Sequence, residues 1–191
     1  MDRSGRSYLS KLYFMSNIIY IATSIDGYIA KLDGGIDWLM EIPNPDQSDY
    51  GFFDFMKRID GVLMGRKTYE ITMDFDQWIY TKPVFVLSNT LDVLRGNWAA
   101  KAELIKGELT EVIAALNNRS INNLYVDGGK TIQSLLALDM IDEMIITRIP
   151  TLLGNGIPLF KSNDLELKFE HIETDVYTGG LVKSRYLRKR D

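Results

Sequence analysis

The chain has 191 residues, 46% of them apolar, and a formal charge of −4 from 22 basic and 26 acidic side chains. That length and apolar content suit one domain with a full hydrophobic core, and the negative balance argues against a general nucleic-acid binder. Cysteine is absent and His171 is the single histidine, which removes thiolate nucleophiles, disulfides, cysteine-ligated zinc and any multi-histidine metal site within one chain.

No apolar run approaches the ~20 residues of a membrane span, and the first fourteen residues lack the unbroken apolar segment of a signal peptide. A soluble, cytoplasmic protein with no membrane partner is expected. Residues 1–14 (MDRSGRSYLSKLYF) show no periodicity and are read as a tail or start-site extension, with a single domain from 15 to 191. Ile18 to Thr23 is a nearly continuous apolar run, the pattern of a central strand buried on both faces. Asp26 and Gly27 then break it as a turn pair. Asp26 also follows the end of a central strand, where open α/β sheets bind ligands, so it is a candidate site group.

Lys31 to Gln47 carries a Gly-Gly pair, two prolines and little periodicity, and reads as a long loop of the kind that covers a site, with Ile36 and Trp38 able to close over a planar ligand. Simple packing is the alternative for Trp38. From Ser48 to Ile59 the spacing of Phe52, Phe55, Met56 and Ile59 predicts a helix with Ser48 or Asp49 at its N-cap, and Phe52 or Phe53 as a candidate ligand contact. Gly61 to Met64 reads as a short buried strand, after which Gly65, Arg66, Lys67 and Thr68 fall where the chain turns into a helix. Unpaired amides at a helix start favour an anion, two cations stand beside them, and Gly65 admits a close backbone approach.

Asp74 to Lys82 is a polar, aromatic loop around Trp78. Pro83 to Leu87 is another buried strand, followed by Ser88, Asn89 and Thr90, whose small polar groups suit either a ribose or phosphate contact or an ordinary turn. Ala102 to Ile105 is a weak strand, and Glu108 to Asn117 a helix with Leu109, Val112, Ile113 and Leu116 on one face. A second glycine corner comes at Asp127, Gly128, Gly129, Lys130 and Thr131, after the strand ending at Val126. Thr131 is expected to cap a helix whose Ile132, Leu135, Leu136 and Leu138 face the core. Ile141 to Ile149 alternates as a strand, and Pro150 to Pro158 reads as a loop. Strand patterns near Leu165 to Ile172 and Leu181 to Leu187 flank the Gly179-Gly180 turn, and the basic residues from Lys183 to Arg190 read as a solvated tail. Strands alternating with helices, then an antiparallel pair, give an α/β domain with a mixed sheet.

The nucleotide motifs can be tested by spacing. No G-x-G-x-x-G string follows the first strand. A P-loop needs glycine five residues before its Gly-Lys-Thr, and ahead of Gly129, Lys130 and Thr131 that place holds Leu124. What remains is two glycine corners offering backbone donors to one extended phosphate-bearing ligand, or two tight strand-to-helix turns.

From about Ile18 to the C-terminus the chain resembles the dihydrofolate reductase superfamily, in the branch similar to the reductase domain of bifunctional riboflavin-biosynthesis proteins. The resemblance rests on SIDGYIA after the first strand, MGRKT at Met64 to Thr68, VLSN at Val86 to Asn89 and YVDGGK at Tyr125 to Lys130, in that order. It implies a dihydrofolate-reductase-like three-layer α/β/α domain with a mixed, mostly parallel eight-stranded sheet, and an NADPH-dependent reductase of a small pyrimidine-like, pterin-like or ribosylamino-pyrimidine-like heterocycle. By position it implies a cofactor-binding set of Ala22, Gly65, Arg66, Lys67, Thr68, Ser88, Asn89, Gly128, Gly129, Lys130 and Thr131. Asp26 and the loop residue Trp38 become the catalytic candidates, no metal is needed, and a homodimer is expected, with Ile145, Thr147 and Ile149 offered as a contact. The folate-type carboxylate is missing: its place after Trp38 holds Pro43, with only Asp46 or Asp49 nearby. A catalytically silent nucleotide-binding or assembly protein of the same fold is therefore the alternative.

Overall fold

A computed structural model describes residues 15–161 and 165–190, so the expectation of an N-terminal tail over residues 1–14 lies outside the described residues. The first strand, β1 (Ser16–Thr23), is followed by β2 (Tyr28–Ala30), α1 (Asp37–Met40), α2 (Phe52–Lys57), β3 (Gly61–Gly65), α3 (Arg66–Thr72), β4 (Val84–Leu87) and a short 3-10 turn at Ala99–Lys101. Then come β5 (Ala102–Ile105), α4 (Leu109–Asn118), β6 (Asn123–Asp127), α5 (Gly129–Ala137), β7 (Glu143–Arg148), β8 (Ile157–Pro158), β9 (Phe169–Val176) and β10 (Val182–Arg188).

Eight strands form one sheet in the order β5-β4-β3-β6-β1-β7-β10-β9, and β2 pairs with β8 in a separate two-stranded ladder. Every pairing from β5 across to β7 is parallel, and β10 runs antiparallel to both β7 and β9. The parallel strands therefore share one C-terminal edge. Because side chains alternate across a strand, each central strand feeds two cores. Ile19, Leu63, Phe85, Leu124 and Val126 meet α4 and α5 through Val112, Ile113, Leu116, Ile132 and Leu135. On the other face Ile18, Val62, Met64, Val84, Val86 and Tyr125 meet Phe55 and Met56 of α2 and Tyr69 of α3. Burying such a side chain fully stabilises the fold by about 1.5–3 kcal/mol, so continuous apolar runs locate the central strands reliably.

Several local expectations are corrected. Helix α5 starts at Gly129, so Thr131 is not its cap but a buried first-turn residue, and Leu138 lies beyond the helix, 49% exposed. Asp49 does serve the start of α2, its carboxylate accepting from the Gly51 and Phe53 amides at 3.0 and 2.8 Å, while the helix itself begins only at Phe52. The long loop contains the single turn α1, and the loop after β7 contains β8. Strand β7 lies between β1 and β10, and Ile145 and Thr147 on it and Ile149 just beyond it are buried in this single chain. The basic stretch is no solvated tail. Lys183, Arg185 and Arg188 stand on β10 and pair with Asp175, Glu143 and Asp139, placing acidic partners on neighbouring elements that the linear sequence separates by up to 49 positions.

Candidate functional site

The two glycine corners meet. Strands β3 and β6 are neighbours, with Met64 opposite Asp127, so both corners leave the sheet side by side at its C-terminal edge. A Cβ built on Gly65 lies 3.2 Å from Thr131 Oγ1, and one built on Gly128 lies 2.1 Å from Thr68 Oγ1. The start of α3 thus presses on the second corner, and the start of α5 on the first. Gly129 is equally confined, since its Cβ would lie 2.4 Å from Ile29 Cδ1 of β2. Packing alone accounts for these glycines, and Gly128 also takes φ +91°, a conformation that side chains rarely adopt.

What the corners leave for a ligand is backbone and charge. The first-turn amides of a helix have no preceding turn to bond, and Gly129, Lys130 and Thr131 open α5. Arg66, Lys67 and Lys130 are exposed around them. Arg66 leans on Glu70 across one helical turn at 3.4 Å, a surface pair of small energetic weight. Strand β4 lies beside β3, with Leu87 opposite Gly65, so Ser88 and Asn89 extend the same edge. The Ser88 side chain closes a turn there, and the Asn89 side chain ties it to Gly107 after β5. Ser88 Oγ accepts from the Leu91 amide at 3.2 Å and Asn89 Oδ1 from the Gly107 amide at 2.8 Å. From Asn89 across β3 and β6 to the end of β1 is three inter-strand steps, about 14 Å.

The structure adds an acid that spacing did not single out. Asp127 ends β6 at the mouth of the second corner, where burial raises its carboxyl above the ordinary aspartate range, although the Tyr80 hydroxyl and then the Gly128 amide work against that rise. Tyr80 Oη donates to Asp127 Oδ2 at 2.9 Å. The alternation Tyr125, Val126, Asp127 places the acid on the same sheet face as Tyr125, but Tyr80 arrives from a loop 47 residues away, which no local pattern announces.

Asp26 stands at the end of β1 and is already engaged. Its carboxylate accepts from Ser24 Oγ at 2.6 Å and from the Leu153 and Gly154 amides at 3.2 and 2.7 Å. The Ser24 hydroxyl foremost, then those amides, hold its carboxyl below the usual range. In this geometry Asp26 ties the loop after β7 to the turn after β1. Trp38 is 3% exposed and packs with Ile149 and Leu181, and half-buried Ala22, Leu39, Ile42, Tyr50, Leu153 and Tyr177 surround them. It fills a cluster over the end of β1 rather than presenting a face to solvent, and its indole Nε1 is buried without an acceptor. Of the carboxylates near the folate-type position, Asp49 is occupied at the start of α2 and Asp46 is exposed. Among the described residues no group of three or more His, Asp or Glu side chains is placed to hold a metal ion, and no helix is long and apolar enough to cross a membrane.

Comparison with known proteins agrees with this geometry. A Bacillus subtilis (strain 168) protein of unassigned activity, YwjB, is 35% identical over 176 residues, covering 90% of this chain and 97% of its own. The crystal structure of a Shewanella sp. PV-4 protein provisionally assigned to riboflavin biosynthesis is 49% identical, with a TM-score of 0.87 over 92% of this chain and all of that one. Dihydrofolate reductase from Enterococcus faecalis, solved with NADP(H), shares the fold at 18% identity and a TM-score of 0.65, covering 93% of this chain and 99% of that one. The RibD C-terminal domain family matches residues 17–183. An α/β domain with a mixed eight-stranded sheet, glycine corners paired across β3 and β6, and that match place this chain in the RibD C-terminal domain family, with its reductase-like fold.

Proposed function

We propose that this protein is an NADPH-dependent reductase of a small heterocycle of pyrimidine, pterin or ribosylamino-pyrimidine type. The observation that carries the reading is the pair of glycine corners abutting at the C-terminal edge with Arg66, Lys67 and Lys130 exposed around them. Fixed amides and exposed cations on one edge suit a pyrophosphate and an additional phosphate, since charge-assisted hydrogen bonds are about twice as strong as neutral ones.

Bound at this edge, the nicotinamide would supply the hydride, a chemistry that asks little of side chains beyond orientation, exclusion of water and a proton route. The backbone of Gly128 to Thr131 and the three cations would hold the phosphates. Trp38 and its neighbours exclude water above Ala22. Asp127, desolvated and hydrogen-bonded to Tyr80, binds a proton more readily than an exposed aspartate does. That makes its carboxyl the group best suited to hold a proton beside the corner.

Titration with NADPH followed by tryptophan emission tests the reading. Saturable quenching is expected, weakened at least ten-fold in the Arg66→Ala/Lys67→Ala variant. No saturation at millimolar NADPH refutes it. The second reading, a silent nucleotide-binding protein, is favoured by Pro43 at the folate-type carboxylate position. Quenching without NADPH oxidation across pterin, pyrimidine and ribitylamino-pyrimidine substrates would select it.

A further inference from the structure

Residues 36–50, which contain α1, pack onto the domain through a cluster of their own. Trp38 joins Ile149 and Leu181, with Ala22 of β1 half-buried beneath, apart from the two cores under the helices. Left-handed residues bracket the segment: Gly34 at φ +92° on one side, Gln47, Tyr50 and Gly51 at +47°, +54° and +87° on the other. For a residue as bulky as tyrosine that conformation is strained, and it persists only where surrounding contacts hold it.

The contact that holds Tyr50 is unusual. Its carbonyl oxygen accepts from Tyr20 Oη at 2.8 Å, Tyr177 Oη at 3.1 Å and Lys183 Nζ at 3.1 Å. A carbonyl has two lone pairs, so three donors exceed what it can satisfy fully. Lys183 Nζ also donates to Tyr177 Oη at 2.5 Å and to Asp175 at 3.1 Å. The rings of Tyr50 and Tyr177 meet edge to face at 5.2 Å, and the Gly179 turn lies so close to the Pro43 carbonyl that a Cβ there would be 3.1 Å from it. Tyr20 comes from β1, but Tyr177 and Lys183 come from the β9–β10 hairpin, so the segment is fastened to the far end of the sheet. Burial pushes the Tyr20 phenol up to about 12, which keeps it a proton donor. Burial disfavours the Lys183 ammonium, yet its bonds to Tyr177 and Asp175 prevail and hold it above the ordinary lysine range.

We propose that Tyr20, Tyr177 and Lys183 are positioning residues that latch residues 36–50 as a lid over Ala22 and the end of β1, so that the β9–β10 hairpin governs entry to the C-terminal edge. The inference does not depend on the identity of the ligand. Unfastening the Tyr50 carbonyl frees the strained backbone at Tyr50, and the segment swings about Gly34 and Gly51 while both main cores stay intact.

Hydrogen exchange on the full chain tests this by location. In Lys183→Met the amides of residues 36–53 should exchange at least ten-fold faster than in wild type, with those of β3 and β6 unchanged. Tyr20→Phe, which removes one oxygen from a half-buried site, should move the same segment in the same direction by about three-fold. Rates within two-fold of wild type over 36–53 in both variants overturn the proposal, as does acceleration shared equally by β3 and β6, because the clasp would then be part of the general scaffold. Should Lys183→Met fail to fold, Tyr20→Phe decides alone by the same criteria.

Discussion

Gly128→Ala puts the interlock of the two corners under direct test. At φ +91° and ψ 132° the backbone is in a region that costs a non-glycine residue about 1–3 kcal/mol. The added Cβ would lie 2.1 Å from Thr68 Oγ1 and 3.2 Å from Thr68 Cβ, so α3 must retreat from β6. Forcing such a shift in packed surroundings costs about 1–3 kcal/mol more. The sum, about 2–6 kcal/mol, is a large part of a typical stability of 5–15 kcal/mol, and at about 2–4 °C per kcal/mol for a chain of this size it lowers Tm by at least ~4 °C. Thermal and urea unfolding followed by circular dichroism measure it, and Thr68→Ala supplies the partner for a double-mutant cycle. Removing Oγ1 and Cγ2 leaves only the 3.2 Å contact, so Gly128→Ala should cost about 1–2 kcal/mol less in the Thr68→Ala background. A Gly128→Ala protein melting within 2 °C of wild type, or additive effects of the two changes, would show that the corners do not bear on each other.

Asp127 and the buried tyrosines give two further expectations. A carboxyl whose folded pKa is raised gains stability from its proton, a gain complete below the unfolded value of 3.8 and lost as pH rises through the folded pKa. Wild type should therefore lose stability relative to Asp127→Asn, which cannot ionise, as pH rises from below 3.8 through the folded value; a Tm difference between the two proteins that stays constant across that titration would reject this. Tyr20, Tyr80 and Tyr125 all have hydroxyls raised by burial, Tyr20 to about 12 and the others well above 10. Their contribution is whole below pH 10 and vanishes as pH climbs through the folded values, so ultraviolet titration should show these phenols lagging until a cooperative alkaline unfolding step. Simultaneous ionisation of all ten tyrosines near pH 10 in folded protein would contradict the burial.

Much of the fold was legible in sequence because it is written locally. Apolar runs such as Ile18 to Ile21 and Val84 to Leu87 can be satisfied only by burial on both faces. The 3.6-residue spacing of Val112, Ile113 and Leu116 commits one helical face to the core. The glycine corners were visible for the same reason, as abrupt ends of such runs. Reading failed where long-range packing outvoted a local preference, as when the start of α5 moved to Gly129 and turned Thr131 inward against Gly65.

By itself, then, the order of residues determined the central strands and the amphipathic helices that pack on them, that chemistry resting on cysteine or a histidine cluster within one chain is impossible, and that two glycine corners follow two buried strands. Only the tertiary structure decided that those corners abut, that Asp127 meets Tyr80, and that Tyr20, Tyr177 and Lys183 converge on a single carbonyl. The physical reason is range. Periodicity and turn preference act within a few residues, whereas strand order in the sheet, which brings together positions separated by as many as 163 residues along the chain from Tyr20 to Lys183, is set by the global minimum of buried apolar surface and satisfied hydrogen bonds.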